Sequence, residues 1–287
     1  MTKRNFKLIF FVVCFISAFS CNDELKMNLP LPDDKIVIDG WIDGGQYAKV
    51  LLTRNSPYFS SIDSASLRDL VLTAAKVTLT DGDKTEILIL RKNKNYFPPY
   101  IFEGNEIKGD TGKTYTLTAE YGGKTAWAKT TIPKKVDPDI ISFMLNENND
   151  SLGNIYMEFT DPPETKNYYR ILTKRNGKDK RYLSPMMMGL DDKFFSGQKF
   201  GFTMSRGPES FLSSHGNEYF KIGDTVSIKF CTIDKAHYEF WNSFQDEVLN
   251  SSNPFASSLS GIKSNVQGDG LGVWGGYGVS FYTLIIK

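Results

Sequence analysis

Cysteine and histidine are scarce in this sequence, with only Cys14, Cys21 and Cys231 and only His215 and His237 among 287 residues. Three cysteines are too few to staple a disulfide scaffold. Neither histidine has a second His or Cys at metal-ligand spacing, and no His-Glu-x-x-His run occurs, so no metal and no cofactor is expected. The Gly-x-Ser-x-Gly turn that presents a serine nucleophile is also missing. Asp161, Asp191 and Asp192 cannot be promoted to a hydrolytic carboxylate pair without geometry. The chain is therefore expected not to be an enzyme, with a hydrolase as the lesser alternative. An excess of either charge is lacking too: 34 Lys+Arg stand against 33 Asp+Glu. That balance removes the main argument for nucleic-acid binding. Hydrophobic residues at 40% and charged residues at 23% are ordinary globular proportions, which argues against wholesale disorder and against a polytopic membrane protein.

What the sequence does have begins at its first residue. Lys3, Arg4 and Lys7 precede an apolar run from Leu8 to Phe19. At about a dozen residues the run falls short of the roughly twenty that span a bilayer, but suits the core of a signal peptide, here 1–20. Ala18, Phe19, Ser20 and Cys21 resemble a bacterial lipobox, which makes Cys21 the expected site of lipidation. An ordinary signal peptide cleaved nearby is the alternative. Asn22-Asp23-Glu24 resembles the acidic signal that sends Bacteroidota lipoproteins to the outer face of the outer membrane; a solvated tether reads equally well. Residues 21–34, with Pro30 and Pro32, are expected to form an extended, lipidated leash. Several acyl chains would hold such a leash stably at the membrane, because each buried CH₂ contributes roughly 0.8 kcal/mol. Cys231, within the apolar alternation Val226–Cys231, reads as a buried small hydrophobe.

Beyond the leash the dominant period is two. Strands are expected at Ile36–Ile42, Tyr47–Arg54, Lys76–Thr80, Glu86–Leu90, from Thr114 through Ala119, and at Lys124–Ile132. Asp81-Gly82-Asp83 and Gly122-Gly123 supply turns. These runs predict an immunoglobulin-like or transthyretin-like antiparallel β-sandwich over 35–134. Ile132–Pro138 breaks the pattern and suggests a boundary. A second β-rich domain is expected over 135–287, with strands at Ile155–Thr160, Tyr168–Lys174, Val226–Thr232 and Val279–Ile286. Its one helix, about 234–250, is capped by Asp234 and carries His237, Phe240, Trp241, Phe244 and Val248 on one side. That stripe reads first as a core-facing side and second as a docking surface. Gly268, Gly270 and Gly272 lack the strand before and helix after that would aim a phosphate cradle, so they read as turn and bulge glycines.

Aromatic clusters are the candidate ligand-binding residues: Tyr96 and Tyr100 flanking prolines, Phe194 and Phe195 in an irregular stretch, and Trp274 and Tyr277 among glycines. Exposed rings suit sugar faces and protein partners alike, whereas buried ones would fill the β cores. Ser64, Ser151 and Thr225 each follow Asp in tripeptides resembling the O-glycosylation sequon of Bacteroidota.

Ile36–Ile42, Val50–Phe59, Ala75–Asp81, Gly112–Leu117, Asn253–Phe255, Ser264–Val266 and Gly272–Tyr277, taken in that order, resemble a Bacteroidota group known as domain of unknown function 4249. The likeness covers nearly the whole mature chain. It implies an outer-membrane lipoprotein, often encoded beside a TonB-dependent transporter, and transfers no site beyond Cys21. The expectation is thus a surface-exposed, non-catalytic accessory or ligand-binding lipoprotein. Its partners would be the membrane, through the N-terminal lipid, a TonB-dependent transporter and a glycan or peptide ligand. The alternative is a free-standing glycan-binding module.

Overall fold

The structure, a computed structural model, describes residues 33–55, 69–147, 149–209, 218–251 and 261–287. The expected signal peptide, Cys21, most of the leash, Ser64, His215 and Asn253–Phe255 lie outside the described residues. Among the described residues no helix is long and apolar enough to cross a membrane.

The chain is mainly β, as its period-two patterning predicts. In order it forms β1 (Ile36–Asp43), β2 (Tyr47–Arg54), β3 (Lys76–Thr80), β4 (Thr85–Ile87), β5 (Ile89–Lys92), β6 (Tyr100–Lys108), β7 (Thr114–Tyr121) and β8 (Lys124–Thr131). There follow β9 (Pro138–Leu145), β10 (Leu152–Thr160), β11 (Tyr168–Arg175), β12 (Leu190–Asp191), β13 (Lys199–Met204), β14 (Phe220–Lys221) and β15 (Thr225–Ile233). The helix α1 (Lys235–Ser251), β16 (Gln267–Gly268) and β17 (Gly270–Ile285) follow as the last elements among the described residues. An eight-stranded sheet runs β12-β11-β15-β17-β1-β2-β6-β5, and a five-stranded sheet runs β16-β8-β7-β3-β4. A third sheet surrounds β10, which pairs with β9, β13 and β14.

The eight-stranded sheet serves two cores on one face. Even-numbered residues of β1 and β2, among them Ile38, Val50 and Leu52, pack with Val77, Leu79 and Leu117 of the five-stranded sheet. Farther along the same sheet, Tyr169, Ile171, Ile228 and Phe230 pack with Ile155, Met157 and Phe159 of the third sheet. The division expected at 134/135 therefore separates most of the two cores but not the central sheet. The physical reason is β17, which lies between β15 and β1 and joins both. It runs parallel to β1, with Trp274 opposite Gly40. Trp274 enters the first core, and Tyr282 and Leu284 pack against the second. Residues 34–287 form one compact unit.

Two strand expectations change. Glu86–Leu90 is two strands, because the chain switches sheets at buried Leu88: β4 pairs with β3, while β5 pairs with β6. Glu86 helps hold that corner, its buried carboxylate accepting from the backbone N–H groups of Asn105, Glu106 and Ile107 at 2.9, 2.9 and 3.2 Å. The last strand begins at Gly270, nine residues before the expected Val279. Its glycines conceal it by removing the side chains that reveal alternation, yet they permit close packing. A Cβ at Gly275 would lie 1.5 Å from Nδ1 of His237, so only glycine lets α1 settle on the sheet.

Asp234 caps α1 as its sequence predicts, Oδ1 accepting from the His237 N–H at 2.8 Å. Its other oxygen accepts from the Thr130 hydroxyl at 2.6 Å, tying the helix start to β8.

Candidate functional site

Because side chains alternate across a strand, the residues that do not face the two cores share the opposite face of the central sheet. Asp39, Trp41 and Asp43 of β1 stand there with Arg170 of β11, Lys229 of β15 and Tyr277 of β17, and they line a cleft of about 1140 Å³. Trp241, Phe244 and Val248 of α1 form one wall. The segment holding Asn93, Asn95 and Tyr96 and the segment from Lys180 to Ser184 form the others. The apolar stripe of α1 thus does two jobs: His237 is buried against the sheet, while the next turns border the cleft.

The cleft floor is charged and buried. Lys229 Nζ lies 2.6 Å from Asp43 Oδ1 and 4.5 Å from the centre of the Tyr277 ring. Tyr277 accepts a hydrogen bond from Arg170 Nη1 at 2.8 Å, leaving its proton free to engage His237 Nε2 at 3.1 Å. Burial, reinforced by the positive charges of Arg170 and Lys229, holds His237 well below the usual histidine range, so the ring is neutral. Burial likewise pushes the Tyr277 phenol up, against the pull of Arg170. The guanidinium of Arg170 lies 3.4 Å from the Trp241 ring centre and is only 6% exposed. Among the described residues Arg170 makes no ion pair. Its Nε, Trp241 Nε1 and the Ser184 hydroxyl are buried without hydrogen-bond partners among the described residues, and all three residues line the cleft.

Asp39, in the same lining, feels opposing influences. Removal from water raises its carboxyl pKa, and Arg170 and Arg181 pull it back down. Burial, aided by the charges of Glu103 and Asp39, pushes the Tyr96 phenol up to about 12. The Tyr96 and Trp41 rings lie 6.2 Å apart, leaving a tilted aromatic pair beside the carboxylates.

Of the six aromatics singled out by sequence, the structure brings Tyr96 and Tyr277 together in this cleft. Trp274 is corrected to a core residue: it is 0% exposed, and its indole N–H donates to the Tyr115 carbonyl at 3.1 Å. Phe195 is also a core residue, stacked on Phe200 with centroids 4.1 Å apart. Phe194, its neighbour, is 84% exposed with Lys193 over its ring, away from the cleft. Tyr100 is half-buried at the start of β6 and does not line the cleft. Ser151 and Thr225 are also half-buried. Asp224, ahead of Thr225, is 1% exposed and paired with Lys178 at 2.5 Å, so its carboxylate is already engaged in a turn.

Sequence reasoning missed Asp39, Trp41, Arg170, Arg181, Lys229 and Trp241 as members of one site. A signal existed for two of them. Arg170 and Lys229 interrupt the apolar strands Tyr168–Leu172 and Val226–Cys231, and a cation amid residues destined for burial needs a reason. Asp39 carried no such signal, since charge alternating with apolar residues is the ordinary look of a solvent-facing strand side.

No curated protein matches the chain. Residues 22–283 match the family described as Domain of unknown function (DUF4249). With that match running from the expected lipid-bearing end to the last strand of the central sheet, the chain belongs to the DUF4249 family.

Proposed function

We propose that this protein is a lipid-anchored component of the outer membrane, facing the cell surface, that captures a ligand in the central cleft and works beside a TonB-dependent transporter in nutrient uptake. The single observation that carries the binding role is the cleft: about 1140 Å³, walled by aromatic rings, with the buried guanidinium of Arg170 left without an ion pair among the described residues. Native proteins rarely bury a cation without a counter-charge, and a ligand offering an anion would offset the cost of doing so. Among the described residues, Cys231 and His237 are poorly placed for nucleophilic or proton-transfer chemistry, which fits a binding role. Burial pushes the Cys231 thiol up to about 12, and His237 is buried, neutral and engaged by Tyr277. The lipoprotein part of the reading rests on the Cys21 lipobox and its acidic followers. Tethering would keep the cleft near a transporter and raise its effective concentration there without any tight contact.

Mass spectrometry of the native product should find a diacylglyceryl-modified Cys21 at its start, and Cys21→Ser should move the protein to the soluble fraction. A transporter should co-purify from gently solubilised outer membrane. An unacylated start, or repeated recovery of the protein alone while its transporter is present, overturns the proposal.

A further inference from the structure

The charges lining the cleft are not evenly satisfied. Asp43 pairs with Lys229, Glu103 with Arg91 at 3.6 Å, and Glu209 with Arg206 at 2.9 Å. Among the described residues that leaves five cations of the lining without an ion pair, namely Lys49, Arg170, Lys174, Lys180 and Arg181, against two such carboxylates, Asp39 and Glu247. Arg170 is the deepest of the five, and it is packed flat on Trp241 rather than extended into water. A guanidinium held this way keeps its charge fixed at the cleft floor, where it attracts a carboxylate. Arg181, an exposed residue of the same lining, is close enough to act electrostatically on both Asp39 and Tyr96, so its charge bears on the same space.

The shape of the site narrows the ligand further. The cleft lies over the face of a sheet, not along an open edge, so an extended peptide cannot gain backbone hydrogen bonds by adding a strand. Recognition must come from side chains. Those available are flat rings with polar rims, Trp41, Tyr96 and Trp241, interleaved with cations, carboxylates and the amides of Gln46 and Asn95. Such a mixture suits ring compounds whose faces are apolar and whose edges carry hydroxyl groups able both to donate and to accept. The volume also exceeds the roughly 300–1,000 Å³ of pockets for single drug-sized molecules, which favours a short oligomer.

We propose that the cleft binds an acidic oligosaccharide, a short chain of sugar rings bearing carboxylates, with a carboxylate received between Arg170 and Arg181 and ring faces laid on Trp41, Tyr96 and Trp241. The assignment rests on the ligand-binding reading above and deepens it. Asp39 accepts from ring hydroxyls, which is how a carboxylate fits within a site selecting an anion.

Equilibrium titration of the full-length, detergent-solubilised protein tests it. The probes are tetrasaccharides of polygalacturonate, alginate and hyaluronan, each set against its carboxyl-methylated form, with cello- and maltotetraose and an acidic tetrapeptide alongside. At least one acidic tetrasaccharide should bind, methylation should weaken it by about tenfold or more, and raised salt should weaken it too. Arg181→Gln changes an exposed side chain and should give a similar loss without lowering thermal stability, whereas Arg170→Lys probes the buried position. Equal affinity for acid and methyl ester, or an Arg181→Gln variant that binds unchanged, overturns the proposal. Binding of a neutral sugar or the peptide with no acidic sugar bound overturns the acidic class and leaves the ligand-binding role standing. Silence from every probe removes both.

Discussion

Replacing Lys229 by methionine removes one charge of the buried pair on the cleft floor while nearly preserving side-chain length. The two side chains are only 4% and 11% exposed, and their atoms lie 2.6 Å apart. Among the described residues Lys229 is the only side-chain partner of the Asp43 carboxylate, so Lys229→Met strands that anion against the Tyr277 ring and the sheet. Removing one member of a buried pair typically costs about 3–5 kcal/mol; because Asp43 borders an open cleft, the lower figure of about 3 kcal/mol applies. The double variant Lys229→Met, Asp43→Leu removes both charges and should recover most of the loss, since an uncharged pair incurs no desolvation. Urea denaturation of the solubilised full-length protein, followed by tryptophan fluorescence, measures both variants with comparison of slopes and midpoints. A loss below about 1 kcal/mol in the single variant, or a double variant no more stable than the single one, would refute the account of a mutually dependent buried pair.

Trp274→Ala should destabilise the protein by about 3–5 kcal/mol through a cavity in the first core, visible as a lower urea midpoint; Trp241→Ala, at the cleft wall, should cost less stability and more binding. Asp234→Ala should cost about 1–2 kcal/mol through the lost cap and the lost Thr130 hydrogen bond, with helical signal in circular dichroism reporting the fraying. His237 gives a pH signature. Its folded-state pKa lies well below the unfolded value of about 6.5, so the unfolded chain binds the proton first as pH falls. Stability conferred by the neutral ring is complete above about pH 6.5 and declines below it; His237→Gln should flatten that decline in melts taken between about pH 5 and 7, and an unchanged slope would contradict a buried, neutral ring.

Several features could be read directly from residue order because their causes are local. Val77 and Leu79 alternate with Thr78 and Thr80, and the structure turns the first pair inward as period two requires. Asp234 sits where the helix starts because its side chain reaches an N–H three residues on. The family likeness was also legible, since the short motifs keep their order along the chain. Glycine obscured the first half of β17, where the fit to His237 is a property of two segments that meet only after folding.

The sequence by itself determined a β-rich chain with one capped helix and determined which residues on each strand share a side. It could not say which side would be covered, because that depends on contacts between distant segments. Tertiary structure decided that β1 pairs with β17, that Trp274 faces inward while Tyr277 faces the cleft, and that Asp39, Arg170, Arg181, Lys229 and Trp241 share one space. Alternation records two faces per strand, but a cleft exists only where several strands, a helix and two connecting segments leave one of those faces unfilled.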